Sequence, residues 1–139
     1  MSSFLNNSPT QIGVLYNNCY GGFSLSERAV NMYKDRKNRT ETYISNWYFS
    51  RTDPVLIDIY NEIGKDEFSN KPISNIEMKY IDIKYKNFYT IIEYDGLEEI
   101  EILYDNYKLS VIKDVSYDEY MKDEEKILKI KEILEPNFE

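Results

Sequence analysis

Ile12-Gly13-Val14-Leu15-Tyr16-Asn17-Asn18-Cys19-Tyr20-Gly21-Gly22-Phe23-Ser24-Leu25-Ser26 is the stretch whose reading decides the fold. Ile12 to Tyr16 is apolar and β-prone, which predicts a strand. Gly21-Gly22 then supplies the backbone freedom for a turn. Ser24 followed by Glu27 has the pattern of a capping box, in which the two side chains satisfy orphan N–H groups at a helix start. A strand that meets a helix N-terminus through glycines can frame an anion or active-site pocket, and it is also an ordinary strand-to-helix connection. Cys19, the single cysteine, sits at the lip of that turn.

Working outward, Met1 to Gln11 is polar and expected to be flexible. Downstream of the glycines, Leu25, Ala29, Met32, Tyr33 and Arg36 share one face of a helix expected from about Leu25 to Arg36. Lys34, Arg36, Lys37 and Arg39 crowd its end, either complementing the helix dipole or forming a phosphate-binding patch with Arg51. Trp47, the sole tryptophan, is expected in the core, as large aromatics usually are. Asp53-Pro54 is a strong helix start, with Asp53 as N-cap and Pro54 at the first helical position. Leu56, Ile59, Tyr60 and Ile63 follow at helical spacing, and Gly64 supplies the stop. Lys65 to Ser74 reads as a loop.

From Ile76 the period becomes two. Ile76, Met78 and Tyr80 alternate with polar residues; Ile81, Ile83 and Tyr85 then continue in the opposite phase, which suggests a β-bulge near Tyr80-Ile81. Phe88 to Tyr94 and Leu97 to Tyr104 flank Asp95-Gly96, a strong signal for a type I′ hairpin. Asp105-Asn106 is a second plausible turn, leading to a strand over Tyr107 to Lys113. A capping box at Ser116 and Glu119 opens a C-terminal helix over residues 116–135, ended by Pro136. The expected fold is a single α+β domain over residues 1–139, with an antiparallel meander sheet that the Val14 strand joins. The helices around Ala29 and Ile59 cover one face.

Composition narrows the function. The net charge of −8 argues against general nucleic-acid binding, which rests on phosphate neutralisation by Lys and Arg. Histidine is absent, which removes Ser-His and Cys-His nucleophile pairs and histidine metal sites. One cysteine allows no internal disulfide and fits a reducing intracellular compartment. No apolar run approaches the roughly 18–20 residues needed to cross a bilayer, and the N-terminus has no signal-peptide pattern. The 14 tyrosines suit half-buried strands and contact surfaces.

Two constellations carry possible chemistry. A two-residue hairpin at Asp95-Gly96 sets Glu93 opposite Glu98, a like-charge pair that a cation, or an Arg or Lys from elsewhere, would relieve. Glu93, Asp95 and Glu98 are therefore weak candidates for Mg²⁺ or Mn²⁺, and equally the acids of an exposed hairpin tip. Cys19 fails the Cys-based phosphatase pattern, because Leu25 stands where that pattern needs Arg; no P-loop or G-x-G-x-x-G is present either. A small buried hydrophobe is the expected role of Cys19.

Asn17 to Ser26, Arg51-Thr52-Asp53-Pro54-Val55-Leu56-Ile57, Asn61 to Gly64 and Glu93-Tyr94-Asp95-Gly96-Leu97-Glu98 occur in that order. Together these CYGGFxLS, RxDPxLI and EYDGxE motifs resemble a family of small uncharacterised proteins of bacteriophages, bacteria and large DNA viruses. The resemblance covers about Ile12 to Tyr104. It implies a viral or mobile-element origin and no particular activity; with the single cysteine, the expected setting is the cytoplasm, the host's if the chain is viral. Members carry a glycine or alanine segment that Lys65 to Ser74 lacks, and the C-terminal helix looks like an addition.

The leading expectation is a non-enzymatic module that binds a protein partner or itself, without cofactor or membrane. The alternative is a small anionic-ligand or nucleotide site, enzymatic or not. Cys19, Tyr20, Gly21, Gly22, Ser24, Arg51, Asp53 and Asp95 would build it, with N–H groups of Phe23 to Leu25 receiving the anion. Convergence of the three motifs in space favours the second; motifs that only cap and turn favour the first.

Overall fold

The computed structural model describes residues 10–135. Its order is β1 (Gln11–Asn17), α1 (Glu27–Arg36), α2 (Pro54–Phe68), β2 (Ile76–Asp82), β3 (Tyr89–Tyr94), β4 (Leu97–Ile102), α3 (Tyr104–Ser116) and α4 (Asp123–Leu134). Short 3₁₀ turns stand at Asn46–Tyr48 and Ile83–Tyr85. The α+β class and the antiparallel pairing are as expected. The strands, however, form two separate two-stranded sheets, β1–β2 and β3–β4.

β1 pairs with β2 without interruption from Gln11–Asp82 to Asn17–Ile76, so no bulge interrupts the pairing. The phase change in β2 has another cause: both faces of this small sheet are covered, at different points along the strand. Ile76 and Met78, with Leu15 of β1, face a core built with Ala29 and Tyr33 of α1 and Leu56, Ile59 and Phe68 of α2. Ile81 and Val14 face the other way, onto Ile100 of β4, with Ile12, Tyr16, Tyr89 and Ile91 around them. A strand sandwiched in this way needs apolar residues of both parities.

Ser26, not Ser24, caps α1, accepting from Ala29 N–H at 3.0 Å. Ser24 and Leu25 are instead held extended: the Ser24 carbonyl accepts from Asn70 N–H, and Leu25 bridges Ser69. Asp53 caps α2 as expected, accepting from Val55 N–H at 2.9 Å. Gly64 breaks α2 with φ 84°, but the chain resumes for one more turn, which returns Phe68 to the core against Tyr60.

Trp47 is 95% exposed, contrary to expectation. Ser45 caps the 3₁₀ turn that carries it. The next aromatic pair does the packing: Phe49 is buried and stands edge-on to Tyr33, ring centres 5.1 Å apart.

The segment Tyr107 to Lys113 is helical, not a strand. Tyr104, Tyr107, Val111 and Val115 fall on one helical face, and Tyr107 packs edge-on to both Tyr85 and Phe88. Asp105-Asn106 accordingly lies in the first turn of α3 rather than in a hairpin. Ser116 ends α3, so the capping box at Ser116 and Glu119 is unused and α4 starts only at Asp123. Gln11, expected to be loose, opens β1. Residues 1–9 and Pro136 lie outside the described residues.

Ile59 and Asp53 separate core packing from capping in the same helix. Ile59→Ala is expected to cost about 2–5 kcal/mol in chemical denaturation, because Ile59 is fully buried. Asp53→Ala is expected to cost about 1 kcal/mol. Equal losses would contradict these separate roles.

Candidate functional site

Asn17, the last residue of β1, is where the sequence motifs meet. Its side chain is completely buried. The amide Nδ2 donates to the Cys19 carbonyl at 2.7 Å and to the Gly96 carbonyl at 2.8 Å. Its Oδ1 accepts from Asn75 N–H at 2.8 Å and from the Ser74 hydroxyl at 3.1 Å. A primary amide offers two donors and two acceptor positions, so this one is fully used. It ties the glycine loop, the hairpin turn and the entry to β2 to one point.

Arg51 and Glu98 form the second tie. The guanidinium forks onto the carboxylate, with Nη1 to Oε1 at 2.6 Å and Nη2 to Oε2 at 2.8 Å. Glu98 is only 8% exposed as a residue, and its Oε1 also accepts the Asn17 backbone N–H at 2.8 Å. The guanidinium lies over the Phe23 ring, 3.7 Å from its centre. The Arg51 carbonyl accepts Leu15 N–H. Bidentate pairing and ring stacking are what Arg supplies and Lys cannot.

The hairpin has the expected register, with Glu93 opposite Glu98 and Tyr94 opposite Leu97. Asp95 and Gly96 both have positive φ, 55° and 89°, as a type I′ turn demands. Glu93 closes the turn by accepting Gly96 N–H at 2.8 Å. The turn presses into the glycine loop: a Cβ on Gly96 would lie 2.4 Å from the Gly22 nitrogen, and one on Gly21 would lie 2.1 Å from the Ile73 carbonyl oxygen. These two glycines are therefore needed for close backbone approach.

The three motifs thus converge, but by consuming one another's polar groups. The Glu93–Glu98 repulsion is relieved by Arg51, and Glu93, Asp95 and Glu98 do not gather around a point. Among the described residues no group of three His, Cys, Asp or Glu side chains is placed to hold a metal ion. Ser24 N–H, one of the donors expected to receive an anion, goes to the Ser74 hydroxyl at 3.2 Å. The start of α1 lies away from the glycines, against the end of α2, where the Ser26 hydroxyl donates to the Glu67 carbonyl. Ser24 itself accepts from Asn70, and Asp53 is occupied in its cap. Tyr20 is exposed. The Cys19 thiol, only partly exposed, donates to the Ile73 carbonyl at 3.3 Å; this oxygen cannot act as its general base.

A cavity of about 370 Å³ opens beside this clasp, lined by Gly22, Phe23, Trp47, Arg51, Glu93 and Glu98 among others. On its floor Arg51 is paired with Glu98, and Glu93 accepts the Gly96 N–H. Burial pushes the Tyr33 hydroxyl up to about 12, and raises those of Tyr16 and Tyr60. A strand-end Asn carries no periodic signal, so the sequence does not mark Asn17 as a site residue. The like-charge pairing of Glu93 with Glu98 marks Glu98 as needing a cation or an Arg or Lys from elsewhere, and the structure supplies Arg51.

Comparison with known proteins finds no matching family model, no matching curated protein and no matching solved structure.

The Arg51–Glu98 pair makes a specific stability prediction. Arg51→Lys keeps the charge but loses the fork and the stack, and is expected to cost about 1.5–3 kcal/mol. In a double-mutant cycle, Arg51→Ala and Glu98→Ala should couple by more than about 1 kcal/mol. Additive losses would show that the two side chains act independently.

Proposed function

We propose that this chain is a non-enzymatic module of the cytoplasm that works by binding protein, with a viral or mobile-element origin suggested by its motifs. The observation that carries the reading is the division of labour within the fold. Arg51 and Glu98 are spent on one another in the clasp, and Ser24 and Asp53 are held by other hydrogen bonds. The helices α3 and α4, by contrast, contain no buried residue, and Leu109, Ile127, Leu128 and Leu134 are each more than half exposed. Tyr117 and Tyr120, between the two helices, are exposed as well. Exposed apolar side chains that lie together on one element can serve as a contact surface. No helix among the described residues is long and apolar enough to cross a membrane, so a bilayer-spanning helix does not account for this surface.

The reading is tested by thermal shift with phosphate, sulfate, mononucleotides, Mg²⁺ and Mn²⁺ at low salt. No stabilisation is expected. A ligand of the clasp supplied at 100 times its dissociation constant would add about 2.7 kcal/mol, and such a response would overturn the reading. In parallel, Leu128→Asp should leave the denaturation midpoint of the protein nearly unchanged, because the side chain supports no core.

A further inference from the structure

Resting on that reading, we infer that the partner of α4 is α4 of a second copy of this chain, docked antiparallel about a two-fold axis between Ile127 and Leu128. At 100° per residue, Glu124, Ile127, Leu128, Lys131 and Leu134 fall on one side of the helix. All five are exposed. Lys126, Ile130 and Ile133, which are half-buried, lie on the opposite flank and mark the side turned toward α3, the element that α4 packs against. The free stripe therefore reads acid, apolar pair, base, apolar.

That order is self-complementary in one orientation only. With the axis between Ile127 and Leu128, Ile127 of one copy meets Leu128 of the other, and the same contact repeats by symmetry. Glu124 then faces Lys131 of the second copy, twice over. Leu134 lies opposite Met121, which is half-buried just before the helix. A parallel arrangement would set Glu124 against Glu124 and Lys131 against Lys131. Opposed charges one turn either side of an apolar pair are the pattern that fixes orientation in helix pairing. Helices of 12 residues bury less than the roughly 1,600 Å² of a standard stable interface, so the dimer is reversible and concentration-dependent.

The test is sedimentation velocity on the full chain across a wide concentration range. Wild type should pass reversibly from monomer to dimer. Glu124→Lys and Lys131→Glu each turn two attractive pairs into two repulsive ones and should weaken the dimer by about tenfold or more, with circular dichroism unchanged. Mixing the two variants should give a heterodimer, and the double variant E124K/K131E should again self-associate. A wild type that stays monomeric at every concentration overturns the proposal, whether the stripe is covered by a different protein or by another part of the chain. So does a dimer indifferent to both charge reversals. Neither result touches the wider reading of a protein-binding module, which fails instead on stabilisation by a small ligand.

Discussion

One buried amide ties the glycine loop, the β3–β4 hairpin and the entry to β2 together. Asn17 sits at the end of β1, and the hydrogen bonds of its side chain reach the glycine loop, the hairpin turn and the residues leading into β2. Those segments are far apart in sequence and share no regular secondary structure. The sheets cannot join them, because β1–β2 and β3–β4 are not hydrogen-bonded to each other. What fastens the hairpin to the first sheet is side-chain chemistry: the Asn17 amide, the Arg51–Glu98 fork, and the apolar contact of Val14 and Ile81 with Ile100. A fully satisfied buried polar network of this kind specifies one arrangement, since any other leaves buried donors and acceptors unmet.

That requirement explains the spacing of the sequence motifs. Gly96 lets the hairpin turn approach the backbone of Gly21 and Gly22, and Gly21 lets the loop approach the Ile73 carbonyl, so that the amide can span both segments. Arg51 lies just ahead of the Asp53 cap, so the start of α2 fixes its position, and its own carbonyl returns a hydrogen bond to Leu15. In the fold, the motifs are tied to one another by the Asn17 amide and the Arg51–Glu98 pair.

Local signals were legible where a single element decides the outcome. The strand at Val14, the Asp53-Pro54 helix start and the Asp95-Gly96 turn could all be read, because caps and positive-φ turns depend on a few adjacent residues. Errors came where tertiary packing overrides local pattern. The alternation in β2 changes phase because two cores claim the strand. Tyr107 to Lys113 becomes a helix because Tyr107 is drawn into the cluster of Tyr85 and Phe88. Ser24 loses its cap to Ser26 because Asn70 holds it in extended backbone. The pairing of Arg51 with Glu98 needed the register of the hairpin and the position of α2 together, and no sequence window contains both.

The protein divides into a core fastened by the clasp and a helix pair, α3 and α4, that leans on it with little burial. Native-state amide hydrogen exchange tests the fastening most directly. The Asn17 N–H has no partner in the β1–β2 ladder at that bond and donates to the Glu98 carboxylate across the junction, whereas Leu15 N–H donates to the Arg51 carbonyl. If the clasp holds the hairpin to the first sheet, both amides exchange only through global unfolding, with the same free energy, while the amides of α4 exchange through smaller openings. An Asn17 amide that exchanges far faster than Leu15 would mean that the hairpin lifts off on its own, and would contradict the account.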